Sequence, residues 1–281
     1  MLQAITFPSM VDAAEHKKEQ KFYDKFRLLF ITLSALIFTS SENYLPDVKI
    51  LSTSIFFNSS FLKIIFYSIC IVIIINGINF IDGANGLASF ASLSILSTLL
   101  YIDLFFCVNK NTLLILITMI SVFPFLFFNF PMGLIFLGDT GAYWLGLMIS
   151  IITIKIFASN DNLSPWLAIV VLLYPLIEVL FSFIRKLYNK NSPFKPDIKH
   201  LHMRLFFYLK NQREVTNKFS SYVTLFMFPI WILPLIFCLL ILKFNQKSYL
   251  ITVCIIIYFL IYYFSYYIIK KNYKHKQGNK T

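Results

Sequence analysis

The chain is predicted to be all-α, a polytopic transmembrane bundle of about eight helices, and three observations predict it. Hydrophobic residues make up 58% of the 281 residues and charged residues 14%, with a mean hydropathy of +0.72, far from the balance of a soluble domain. The apolar residues fall in long runs, each about the length a bilayer requires, rather than in alternating patterns. Lysine and arginine also sort themselves between alternate loops, as the positive-inside rule demands of a multi-pass protein.

In order, the runs predict helices near 26–40, 61–78, 86–107, 112–129, 141–158, 165–184, 221–243 and 248–269. The first is the shortest. Leu45-Pro46, with Glu42 and Asp47 beside it, reads as a surface loop. Residues 1–25 form a polar cytoplasmic lead-in without the apolar centre of a signal peptide, and 26–270 form the membrane domain, with a cytoplasmic loop at 185–220. Residues 271–281 form a basic cytoplasmic tail. With a cytoplasmic N-terminus, 19 of the 25 Lys and Arg lie inside and 6 lie outside. The net charge of +12 then reflects topology and anionic headgroups, and no nucleic-acid partner is needed. The four cysteines, Cys70, Cys107, Cys238 and Cys254, lie in or beside apolar runs without metal-ligand spacing, as small buried hydrophobes do.

Three polar islands interrupt this apolar chain. The first is Asn76-Gly-Ile-Asn79-Phe-Ile-Asp82-Gly83-Ala-Asn85-Gly86-Leu87. Asn76, Asn79 and Asp82 step by three along one flank of a helix end. Capping accounts for one Asn or Asp, but hardly for four such groups within ten residues. The second, Phe136-Leu-Gly138-Asp139-Thr140-Gly141, opens a span. A helix N-terminus attracts anions, and a carboxylate there with phosphates nearby suits Mg²⁺. The third, Pro193-Phe-Lys-Pro196-Asp197-Ile-Lys199-His200-Leu201-His202-Met203-Arg204, holds two of the four histidines. Their spacing of two differs from the i, i+4 zinc pattern, and imidazoles among cations suit phosphate. Glu178, inside the sixth span, either shapes the site or pairs with Arg185. All three islands follow even-numbered crossings, so all three are expected on the cytoplasmic face.

These motifs resemble those of the polyprenyl-phosphate N-acetylhexosamine-1-phosphate transferases, the glycosyltransferase 4 group that includes phospho-N-acetylmuramoyl-pentapeptide transferase. Asn79-Phe-Ile-Asp82-Gly83-Ala-Asn85-Gly86-Leu87-Ala88 is similar to its Asn-x-x-Asp-Gly-x-Asn-Gly-Leu-Ala signature. Asn129-Phe-Pro131 followed by Gly138-Asp139-Thr140-Gly141, and the histidine loop Ser192-Pro-Phe…Asp197-Ile-Lys-His200-Leu-His202, are similar to two more. The resemblance runs from roughly Arg27 to Lys270. It implies transfer of N-acetylhexosamine-1-phosphate from a UDP-sugar to a polyprenyl phosphate such as undecaprenyl phosphate, with release of UMP. Such a step serves envelope glycans, among them lipopolysaccharide, teichoic acid and peptidoglycan. By the same resemblance Asp139 and Asp82 bind Mg²⁺ (or Mn²⁺), and these two with His200 and His202 are the catalytic set. Asn76, Asn79, Asn85, Asn129, Thr140, Asp197, Lys199 and Arg204 fall to substrate binding. The expected setting is the plasma (inner) membrane, among lipids, with both termini and the site cytoplasmic and a homodimer admitted.

The chain departs from the family pattern at two places. Met203 stands where the histidine loop often ends in a further histidine. His16-Lys17 stand where members carry an acidic pair, and two helices that precede this point in the family are not found. The spans then correspond to the third to tenth of a ten- or eleven-span bundle, behind an unrelated lead-in. Little transferase activity is expected of such a chain. The alternative is a truncated, inactive membrane protein of the same fold. A transporter with broken midplane helices fits less well, because the islands sit at helix ends on one face.

Overall fold

The computed structural model describes residues 10–42, 45–46, 59–107, 109–190, 199–210 and 219–278, with side chains from Phe26 to Asn272 among them. The described residues are helical, in the order α1 (Met10–Ser41), α2 (Ser60–Ile81), α3 (Leu87–Phe106), α4 (Thr112–Asn129), α5 (Gly138–Ser159), α6 (Trp166–Val171), α7 (Leu173–Tyr188), α8 (Leu201–Lys210), α9 (Phe219–Phe226), α10 (Phe228–Lys243) and α11 (Ser248–Gly278). Each of the eight expected spans has its counterpart. Six stretches among the described residues are long and apolar enough to cross a membrane: α2, α3, α4, α5, the α9–α10 pair and α11. The fold is a polytopic helical bundle of a membrane protein.

Three features depart from the expected pattern, and the broken spans have a physical cause. Helix α1 starts at Met10 and runs without a break through the segment expected as a polar lead-in. The sixth and seventh spans are each split, at Leu172 and at Met227. Each break lies just before a proline, Pro175 and Pro229, whose ring removes a hydrogen bond and crowds the carbonyl four residues back. The expected cytoplasmic loop also contains α8, whose Leu201, Leu205 and Leu209 are buried on one face.

Helix α2 is the hub. It packs against α1, α5 and α7, and its Ile71, Ile74, Ile75, Ile78 and Ile81 are almost fully enclosed. Without a hydrophobic drive between helices in lipid, close packing of small residues does this work. Gly77 shows it: a Cβ there would sit 2.6 Å from the carbonyl oxygen of Pro175. The outer faces of α4 and α11 keep their large apolar side chains exposed, such as Phe123, Phe127, Ile256 and Phe264, as lipid-facing surfaces do. At the end of the bundle away from the islands, Asp103 is buried in the last turn of α3. There it accepts hydrogen bonds from the Asn111 backbone, the Asn111 amide and the Thr112 hydroxyl. On that same side, Lys155 pairs with Glu42 at 2.6 Å.

Candidate active site

The C-terminus of α2, the N-terminus of α5 and the start of α8 meet at one end of the bundle. Asp82 ends α2 and begins a turn that leads into α3 at Leu87. The Gly138 backbone N–H donates to its carboxylate, and Asp139 lies within electrostatic reach. Burial pushes the Asp82 carboxyl up to about 6, the nearby Asp139 charge adds to this, and the Gly138 N–H opposes it. Asp139, in the first turn of α5, has a side chain 59% exposed and accepts a hydrogen bond of 3.1 Å from Arg27. The Arg27 guanidinium lies 5.7 Å from the centre of the Tyr143 ring. Tyr143 in turn accepts a 3.0 Å hydrogen bond from the Asn79 amide. Asn79, Tyr143, Arg27 and Asp139 thus form one polar chain beside Asp82.

The histidine element closes on the same turn. A Cβ on Gly83 would lie 2.2 Å from Nε2 of His202, so only glycine lets the imidazole rest on the turn. His202 is 1% exposed, and burial pushes its imidazole down to about 4, against the pull of Glu178. His200, also buried, packs on Phe80 of α2 and stacks at 5.8 Å on His202. Glu178 of α7, 1% exposed, takes Nδ1 of His200 at 3.0 Å and faces Nδ1 of His202 at 4.0 Å. Of the two readings of Glu178, shaping the site is the one its partners favour. Arg185 instead donates to the Lys199 carbonyl, to Ser182 and to Tyr266. The Arg204 guanidinium stands 4.6 Å over the same Tyr266 ring.

Other predicted residues face the protein. Asn85 is buried: its backbone N–H donates to Ser220, its amide donates to the Pro131 carbonyl, and its carbonyl accepts from Thr224. Asn129 accepts from the Gly86 N–H and donates to the Ile135 carbonyl, so it fastens the loop after α4 to the turn after α2. Asn76 donates back to Val72 within its own helix. Thr140 and Lys199 are exposed. Asp197 lies outside the described residues, as do the side chains of His16 and Lys17.

Sequence reasoning missed Arg27 and Tyr143 as members of the site. Tyr143 had a signal, since it lies four residues after Asp139 on one helix face. The Ser220, Ser221 and Thr224 contacts of α9 had none, because nothing local links residue 85 to residue 220. A cavity of about 330 Å³ among the described residues lies elsewhere, between the starts of α2 and α6 and the end of α5. Its lining, including Tyr67, Ile71, Phe157 and Trp166, is mostly apolar and carries no charged side chain for a phosphate.

Among known proteins, residues 5–157, more than half of the chain, match the description Glycosyl transferase family 4. A probable undecaprenyl-phosphate N-acetylglucosaminyl 1-phosphate transferase of Bacillus subtilis is 38% identical over 136 residues, which is 48% of this chain and 38% of that protein. An undecaprenyl-phosphate alpha-N-acetylglucosaminyl 1-phosphate transferase of Thermotoga maritima is 31% identical over 138 residues, 49% of this chain and 41% of that protein. A phospho-N-acetylmuramoyl-pentapeptide-transferase of Dictyoglomus thermophilum is 33% identical over 130 residues, 46% of this chain and 40% of that protein. The chain spans about two fifths of the length of these relatives. It belongs to glycosyl transferase family 4.

Proposed function

We propose that the protein transfers N-acetylhexosamine-1-phosphate from a UDP-sugar to a polyprenyl phosphate and releases UMP. One observation carries this reading: three polar islands, far apart in sequence, converge at one end of a membrane bundle through the contacts Gly83–His202 and Asp82–Gly138. Family membership supplies the reaction class, and the names of the relatives supply the acceptor. An oxygen of the polyprenyl phosphate attacks the sugar-bearing phosphorus of the UDP-sugar. A new P–O–P linkage forms, the bond to the UMP oxygen breaks, and UMP leaves. Such a transfer asks a protein chiefly for alignment and for stabilisation of charge spread over phosphoryl oxygens. The site faces the cytoplasm in this reading, where charge bias and helix parity agree and where a soluble nucleotide and a lipid of the same leaflet can meet.

The residues fit a divalent cation such as Mg²⁺. Two carboxylates of like charge lie within electrostatic reach of one another, and among the described residues there is no group of three His, Cys, Asp or Glu that could enclose a metal. A cation that keeps water and takes phosphate oxygens as its remaining ligands needs no more than two carboxylates. Asp139 and Asp82 would hold it, and it would neutralise charge on the phosphates. Arg27, reaching Asp139 at 3.1 Å, supplies positive charge at the same place. Asn79 and Tyr143 fix the helix flank behind it. Lys199 and Arg204 add positive charge around His200, where the phosphate or sugar would lie.

The assay is direct. Purified protein in lipid, given a UDP-N-acetylhexosamine labelled in the sugar, polyprenyl phosphate and Mg²⁺, should form labelled polyprenyl diphosphate sugar and one UMP per product. Release of UDP instead of UMP would mean glycosyl transfer rather than sugar-phosphate transfer, and the reading would fall.

A further inference from the structure

We propose that Glu178 is the positioning residue of the histidine element, a buried carboxylate that sets the tautomer of His200 and orients both imidazoles. The inference rests on the functional reading above and goes one layer below it. Glu178 sits in α7, three residues beyond Pro175, and is 1% exposed. A carboxylate at that depth is costly unless its oxygens find partners. Oε2 is 3.0 Å from Nδ1 of His200. An ionised carboxylate only accepts hydrogen bonds, so Nδ1 of His200 carries the proton and Nε2 of the neutral ring is left as an acceptor. Without such a partner, the ring would be free to carry its proton on either nitrogen.

The second histidine faces the same group. Nδ1 of His202 lies 4.0 Å from Oε1 of Glu178. Both atoms are buried, and neither has a hydrogen-bond partner. One carboxylate therefore faces both rings, which stack nearly parallel with 11° between their planes. Tyr174, Tyr258 and Tyr262, all buried, lie within electrostatic reach of it and close the space around it. Three helices, α7, α8 and α11, thus meet at one acid. The consequence reaches the first island directly, because His202 is the ring that rests on Gly83, next to Asp82. Turning the imidazoles would displace the turn that carries Asp82.

The chain has only four histidines, His16, His200, His202 and His275, so ¹⁵N spectra of histidine-labelled protein in nanodiscs can be assigned by single substitutions. Wild-type His200 should show a protonated Nδ1 and an unprotonated Nε2. E178A should shift that tautomer population toward Nε2–H, and the nearly isosteric E178Q should weaken the bias while the protein stays monodisperse. Glu178→Asp should retain part of it. In the transferase assay, E178Q should lower kcat by about 10- to 100-fold, the usual effect of removing a partner that orients a functional histidine, with the KM for the UDP-sugar changed far less. An Nε2–H tautomer in the wild type, or a His200 spectrum unaltered in both E178A and E178Q, would overturn the proposal. The spectra need no turnover. A correct tautomer response in a protein that transfers no sugar-phosphate would sink the functional reading and leave the positioning role standing.

Discussion

At one end of the turn that follows α2, Asp82 lies near Asp139, whose side chain is 59% exposed. At the other end, three residues on, Asn85 is enclosed by Ser220, Pro131 and Thr224. Both belong to one island, and both are short polar residues next to a glycine. Their partners separate them. The carboxylate end meets Arg27, a backbone N–H and open space, which a cation or a phosphate can share. The amide end spends its backbone N–H, its backbone carbonyl and its side-chain NH₂ on the protein, tying α3, the loop after α4 and α9 together. A family motif therefore mixes groups that meet a ligand with groups that hold the frame, and residue type alone does not sort them.

The largest effect that separates the two ends is expected at Asp139. Asp139→Asn keeps the shape and removes the charge, so transfer should fall by about 10³-fold, the scale for losing an electrostatic group at a charged transition state. Expression and thermal stability should hardly change, because an exposed Arg27–Asp139 pair contributes little to folding. Near-normal turnover in Asp139→Asn would merge the two ends into one structural role.

The histidine element comes next. His200→Ala should cost about 10²-fold in kcat, within the range of a positioned proton-transfer or hydrogen-bonding group, and His202→Ala a similar amount by releasing the Gly83 turn. The exposed Lys190→Ala and Lys210→Ala should stay within about 2-fold, since scattered surface cations serve topology. Equal small effects from all four variants would reduce the element to a packed segment with no part in turnover.

Asn129 tests the amide end. Asn129→Ala leaves the buried Gly86 N–H without its partner, at about 1–3 kcal/mol for a buried unsatisfied group, and also frees the more exposed Ile135 carbonyl. The variant should melt several degrees lower, while the molecules that remain folded keep their KM for the UDP-sugar. A normal melting temperature with a raised KM would move Asn129 from the frame to the ligand.

The spans were legible because a bilayer imposes a minimum length on every crossing and penalises charge within it. The split at Leu172 was legible in principle from Pro175, and α8 from Leu201, Leu205 and Leu209 spaced by four. The three islands were visible because Asp and Asn stand out in an apolar chain. Their pairing was not, since Asp139 with Arg27, or Asn85 with Ser220, depends on which helices become neighbours. Glu178 marks the boundary: its rarity inside a span pointed to function, but only the folded chain brings it to Nδ1 of His200 and His202 rather than to Arg185.

The smallest effect, and the finest test of the carboxylate end, is the pH response of Asp82. Burial raises its carboxyl from 3.8 to about 6, so the folded protein binds this proton more tightly than the unfolded chain does. The stabilisation is fully present below the unfolded value and is lost as pH rises through about 6. At about 1.4 kcal/mol for each tenfold change in proton affinity the loss is about 3 kcal/mol at most, and residual water contact reduces it to about 1–2 kcal/mol. In metal-free protein the melting temperature should therefore fall between pH 4 and pH 7 more steeply in the wild type than in Asp82→Asn. Adding Mg²⁺ at pH 7 should restore stability to the wild type, because a cation that binds only the folded state shifts the equilibrium toward it. The same addition should do less for Asp82→Asn. Asn85→Ala, which removes no charge, should leave the pH slope and the Mg²⁺ response as in the wild type. If instead Asp82→Asn shows the wild-type slope and the full Mg²⁺ response, the carboxylate end is no more open to ions than the amide end three residues away.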